Sequence, residues 1–179
     1  TPEKAPNSRF LLDQVCYVHP FLERYPAEVP AFREFLKQGR LQIAGGTDTM
    51  HDNNIPSGES IVRQYLLGKS YFRDKLGYDV TTGWGLDTFG HNAQMPQILR
   101  LAGMQSYWFQ RGVPGIHTPS EFLWQGIDGT QIPAFWLPFS YGMLQGVPAS
   151  EADFGRKVRG AFENLTPFTR GRERVMLAG

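Results

Sequence analysis

Asp79-Val80-Thr81-Thr82-Gly83-Trp84-Gly85-Leu86-Asp87-Thr88-Phe89-Gly90-His91 runs from a strand into a carboxylate and on toward a helix. β-Branched residues and an indole over Val80 to Trp84 favour extended backbone. Gly83 and Gly85 loosen the chain, and the strand ends on Asp87. Asn92 then offers a helix N-cap, and the spacing predicts a helix from Ala93 to Ala102. An acid at the carboxyl end of a strand, where the next helix starts, lies on the active rim of α/β folds. Taken alone, such an Asp is more often a cap or turn former.

Working outward, the same alternation recurs. Upstream, Arg9 to Asp13 reads as a short strand, and Val29, Phe32, Phe35 and Leu36 share one helix face before Gly39. Leu41 to Ala44 reads as a strand ending at Gly45-Gly46. Asp48, His51, Asp52, Asn53 and Asn54 crowd a loop, where neighbouring His51 and Asp52 would suit a metal, although most such clusters are solvated turns. A long helix follows from Ser57 or Gly58 to about Leu76, with Glu59 near its start, Lys69, Arg73 and Lys75 toward its end, and Gly77 as its stop. Ile61, Tyr65, Phe72 and Leu76 form its buried stripe.

Downstream, Met95, Ile98, Leu99 and Ala102 line the inner face of the predicted helix. Ser106 to Phe109 reads as the next strand, and Arg111 follows it onto the rim. Gly112 to Pro119 is a turn-rich loop. Glu121 to Trp124 and Gln131 to Leu137 flank Asp128-Gly129 as a β-hairpin. Tyr141 follows the second hairpin strand. Phe154, Val158, Ala161, Phe162 and Leu165 keep helical spacing, and Arg174 to Ala178 reads as a final strand. Alternating helices and strands argue for a mainly parallel α/β sheet with one inserted β-hairpin.

Composition narrows the function classes. Over 179 residues, 18 basic side chains nearly balance 17 acidic ones, so no field favours nucleic acid or an anionic membrane. No apolar run approaches membrane-spanning length. The single cysteine, Cys16, excludes an internal disulfide and a cysteine-based zinc cage. The expected location is cytoplasmic, and the first residue reads as lying within a longer protein.

Trp84-Gly85-Leu86-Asp87-Thr88-Phe89-Gly90-His91, with Pro96, Leu99, Gly103 and Phe109-Gln110-Arg111 behind it, resembles the W-x-x-D-x-F-G-H signature region of family 38 glycoside hydrolases. Gly45-Gly46, Met50, Asp52, Pro56-Ser57-Gly58-Glu59-Ser60, Val62-Arg63-Gln64 and Gly68 resemble the segment that precedes it in that family. The resemblance implies a zinc-dependent retaining α-mannosidase. It also implies that residues 1–179 form the middle section of an N-terminal catalytic domain, part of a seven-stranded (β/α) barrel-like fold.

Carried over position by position, the resemblance makes Asp87 both the nucleophile and one zinc ligand. Phe89, Arg111 and Tyr141 become substrate contacts, and His91 and Asp52 supporting residues. The expected substrate is an α-mannoside or a mannose-containing oligosaccharide. The family's His-x-Asp zinc pair is absent from this sequence, and its acid/base aspartate is expected just past the strand at Val175. Other residues, from the same polypeptide or another chain, are therefore expected to complete the site, and the 179 residues alone to be inactive. Self-association into a homo-oligomer stays open. Two rival readings are a metal-dependent carbohydrate deacetylase, which would form no glycosyl-enzyme, and an inactive glycan-binding fragment.

Overall fold

The computed structural model describes residues 7–112, 119–146 and 150–177. Strand β1 (Phe10–Gln14) leads directly into helix α1 (Val15–Arg24), then α2 (Val29–Lys37) and strand β2 (Leu41–Thr47). Helix α3 (Gly58–Tyr71) continues into a π-helical turn over Phe72–Leu76, followed by β3 (Thr82–Gly85) and α4 (Met95–Leu101). Strands β4 (Ser106–Phe109), β5 (Glu121–Gln125) and β6 (Gln131–Trp136) precede the last helix, α5 (Glu151–Leu165).

Among the described residues these strands make two ladders, not a seven-stranded barrel. β1 and β2 pair in parallel, and a four-stranded sheet runs in the order β3-β4-β6-β5. β3, β4 and β6 are parallel, while β5 returns antiparallel to β6 as the hairpin arm. A barrel closes only when its first and last strands pair. Here β1, β2, β3 and β5 each pair with one strand alone, so all four sheet edges stay open among the described residues. The expected strand from Arg174 is also corrected. Residues 173–177 form no ladder, although the Leu144 N–H reaches the Leu177 carbonyl at 3.2 Å, and Ala178 lies outside the described residues.

Local chemistry explains the elements. Ser57 caps α3 by accepting from the Ser60 N–H, and Gly77 closes the following turn in the left-handed conformation. The predicted helix at Ala93 starts later: Asn92 accepts from the Gln94 N–H in a turn, and helical geometry begins at Met95. β2 extends beyond its expected end because Gly45 and Gly46, at φ +73° and +69°, carry a bulge through to Thr47. A side chain at Gly45 would sit 2.6 Å from the Asp13 carbonyl oxygen. The bulge thus draws the ends of β1 and β2 together.

The main core lies between the sheets and helices α1, α3 and α4. Val18, Leu22, Ile61, Tyr65, Phe72, Leu99, Tyr107 and Ile132 are buried there. On the opposite face Trp84, Trp108 and Phe135 stand in register across β3, β4 and β6, with Trp108 and Phe135 stacked at 4.2 Å. No helix among the described residues is long and apolar enough to cross a membrane.

Gly68 sets how closely α3 approaches β2. A Cβ there would lie 2.5 Å from the Gly46 carbonyl oxygen and 2.6 Å from the Thr47 Cα. The nearest atoms are all backbone of β2, which leaves no flexible group to yield. Gly68→Ala is therefore expected to destabilise the protein by about 1–3 kcal/mol, as overpacking does. Denaturant unfolding checks this, and an unchanged midpoint would show that the helix can retreat freely.

Candidate active site

The carboxyl ends of the parallel strands supply the candidate site. Leu86 and Asp87 form the turn after β3, where the Thr88 hydroxyl donates to the Gly85 carbonyl at 3.1 Å. The Asp87 N–H points to the Met50 sulfur, 3.4 Å away in the loop after β2. Met50 in turn donates its own N–H to the Gln14 side-chain oxygen at 2.6 Å, so the rim beyond β1 is tied in as well. Asp87 is thereby fixed by its backbone, and its side chain remains half-exposed on the rim.

Arg111, just past β4, meets that carboxylate directly. Its Nε donates to Asp87 Oδ1 at 2.7 Å, and both side chains are close to half-exposed. Its guanidinium lies 4.9 Å from the centre of the Phe89 ring, which is itself 72% exposed. The Asp87 carboxylate beside it raises the pKa of Arg111, and the Tyr141 phenol adds a smaller effect in the same direction. Asp87, Phe89, Arg111 and Tyr141 therefore face one another, although they come from three separate loops. Ser140, immediately before Tyr141, has φ +77°, a rare conformation for a residue with a side chain that often marks a functional turn. The resulting surface is a guanidinium-held carboxylate bordered by an exposed aromatic ring and a phenol.

His91 lies behind this pair. Its Nε2 is 2.9 Å from the Arg111 carbonyl oxygen, and its Nδ1 is 3.1 Å from the Asn53 side-chain nitrogen. Burial lowers the His91 pKa and favours the neutral ring, outweighing the Arg111 carbonyl and the Asp52 charge. A neutral ring has one N–H. The Arg111 carbonyl can only accept, so that hydrogen sits on Nε2 and leaves Nδ1 an acceptor. Both ring nitrogens thus have protein partners, and the arrangement does not present His91 as a chelator beside Asp87.

Asp52 acts one step further back. Its Oδ1 accepts from the Asn54 N–H at 2.8 Å, which turns the loop so that Asn53 points inward. Asn53 is only 2% exposed and also donates to the Tyr107 hydroxyl at 3.1 Å. Burial pushes the Tyr107 phenol up to about 12, so it stays protonated. Neither Asn53 nor Tyr107 stands out as a site residue in the sequence. Asn53 stands among other polar loop residues with nothing in its spacing to mark burial, and Tyr107 reads as an ordinary strand aromatic. His51, considered above with Asp52, instead sets its ring edge-on against Tyr65 at 5.8 Å, and burial lowers its pKa.

The described residues do not by themselves fit a zinc ion. A catalytic zinc takes about three protein ligands and keeps a position open for water or substrate. Among the described residues no three His, Cys, Asp or Glu side chains converge to hold a metal. Of the rim carboxylates, Asp87 is already engaged by Arg111 and Asp52 by the Asn54 backbone.

Comparison with known proteins places this geometry in context. The model of the glycosyl hydrolases family 38 N-terminal domain matches residues 1–179. Alpha-mannosidase 2C1 of Homo sapiens is 32% identical over 170 residues, which cover 89% of this chain and 16% of that protein. An alpha-mannosidase of Saccharomyces cerevisiae is 32% identical over 172 residues, 92% of this chain and 15% of its own length. The crystal structure of an alpha-mannosidase from Enterococcus faecalis superimposes with a TM-score of 0.87 at 26% identity, over 98% of this chain and 20% of that one. The chain thus spans less than a fifth of the length of these two curated relatives.

Proposed function

The chain belongs to the glycosyl hydrolases family 38, through its N-terminal domain, and on that basis we propose that it supplies the nucleophile side of a retaining α-mannosidase active site. The observation that carries this reading is the Asp87–Arg111 pair on the strand rim, flanked by Phe89 and Tyr141. A nucleophilic carboxylate needs one oxygen anchored so that the other is aimed. Arg111 anchors Oδ1 at 2.7 Å, and Phe89 offers an apolar ring to a sugar face.

In the proposed first step the free oxygen of Asp87 attacks the anomeric carbon of a terminal α-mannosyl residue. The glycosidic C–O bond breaks, and the departing oxygen takes a proton from an acid supplied by residues outside this chain. The product is a glycosyl ester on Asp87, which water then hydrolyses with inversion a second time, so configuration is retained. Retaining chemistry sets the two carboxyl groups about 5–5.5 Å apart. Arg111 and Tyr141 hold the nucleophile and the sugar. Asp87 is also proposed as one oxygen ligand of a zinc ion whose remaining donors lie outside this chain, and no reaction step is assigned to that ion.

Trapping tests the proposal. The intact enzyme is incubated with 5-fluoro-mannosyl fluoride and the labelled peptide is mapped by mass spectrometry. The expected label falls on the peptide carrying Asp87. Label on another carboxylate, or turnover with no trapped ester, would overturn the assignment, the latter favouring a deacetylase-type reaction through water.

A related expectation concerns the 179 residues expressed alone. With one proposed zinc donor and no partner acid, they should hold no stoichiometric zinc after dialysis and should not cleave an aryl α-mannoside. Turnover with tightly held metal would mean that donors within this chain have been misjudged.

A further inference from the structure

Asn53 is a buried side chain that ties its own loop to two further elements. Its side-chain nitrogen lies 3.1 Å from both His91 Nδ1 and the Tyr107 hydroxyl. Its backbone carbonyl accepts from the Asn92 side chain at 2.5 Å. Through these contacts the loop after β2 is joined to the segment after β3 and to β4. An amide presents either two donors or an acceptor at a given edge. His91 Nδ1 is an acceptor here, because its one N–H is given to Arg111, so Asn53 must turn its NH2 toward the ring.

We infer that Asn53 is a positioning residue for the Asp87–Arg111 pair, acting through the His91 ring on the Arg111 backbone. His91 is the only side chain between them in this relay: Asn53 holds Nδ1, and Nε2 holds the Arg111 carbonyl at 2.9 Å. Gly112 fits the same arrangement, since a Cβ there would meet the His91 ring at 2.9 Å. With the Arg111 backbone anchored from behind, its half-exposed guanidinium projects to Asp87 at a set angle. Removing the amide leaves the ring free to tilt toward the Tyr107 hydroxyl, 3.4 Å from Nδ1, and releases the carbonyl.

The catalytic consequence rests on the reading of Asp87 as nucleophile, so the test has one arm that depends on activity and one that does not. In the intact enzyme, Asn53→Leu is made alone and combined with Arg111→Lys, and kcat and KM are measured on an aryl α-mannoside. Asn53→Leu is expected to lower kcat about tenfold at nearly unchanged KM, on the scale of a small misalignment. If Asn53 acts through Arg111, the double variant loses no more kcat than Arg111→Lys alone. Multiplying losses would overturn the inference, because a merely structural contribution adds to any other. Should Asn53→Leu fail to fold, Asn53→Ser serves both arms, being too short to bridge the two partners.

The second arm is the crystal structure of the same variant. The inference requires the His91–Arg111 carbonyl contact to be lost and the guanidinium to shift away from Asp87. An Arg111–Asp87 contact retained at its original length overturns it. If the fluorosugar label misses Asp87, the proposed reaction fails while this second arm still decides the role of Asn53.

Discussion

Asp87→Asn in the intact enzyme is expected to lower kcat on an α-mannoside by roughly three orders of magnitude or more while leaving the fold in place. The substitution keeps shape and volume but removes the charge proposed to attack carbon. Stability should change little. The pair with Arg111 is half-exposed, and such pairs contribute modestly to folding. The Asp87 backbone N–H, which points to Met50, is untouched by the change. If Asp87 merely shaped the turn, Asn would serve nearly as well, and activity would survive. Measuring kcat beside the melting temperature separates these outcomes. Zinc content of the variant supplies an independent reading, since the proposed anionic ligand is lost with the charge. Full activity with metal retained would end the assignment.

Arg111→Lys should lower kcat/KM by about 10²-fold or more, again with folding nearly intact. Lysine keeps the positive charge, so a loss of this size must come from geometry. The guanidinium makes a directed Nε contact to Asp87 Oδ1 and lies over Phe89 at the same time. A point charge on a flexible stem can satisfy one of these but not hold both. The readout is kinetics set against thermal melting. Parallel losses of activity and stability would make Arg111 structural. A wild-type rate would remove it from the site.

Much of the local structure was legible from spacing. The long helix after Pro56 announced itself through Ser57, Glu59 and Gly77, each acting within one turn of its own position. The hairpin was equally plain, because Asp128-Gly129 shapes its own turn: Gly129 sits at φ +85° and the Asp128 carboxylate takes the Thr130 N–H. Helix α1 was less visible. Val15, Val18 and Leu22 keep helical spacing and are buried, but Pro20 interrupts the run, and a proline there removes one backbone donor. Tertiary burial of that stripe outweighs the loss.

The carboxylate after β3, the arginine after β4 and the apolar stripes of α3 and α4 are consequences of residue order and near-neighbour chemistry, and the sequence by itself determined them. Which strands pair is a different matter. β6 lies against β4, and β5 lies outside β6, by contacts between segments far apart in the chain. A local pattern of alternating helices and strands is compatible with an open sheet or a closed one, so it could not exclude the barrel that the described strands do not form. The site shows the same division. Asp52, Asn53 and Asn54 are consecutive polar residues with no periodicity to tell them apart. Only the folded chain turns Asn53 inward between His91 and Tyr107 while Asn54 stays at the surface, because burial of an amide depends on partners 38 and 54 residues away.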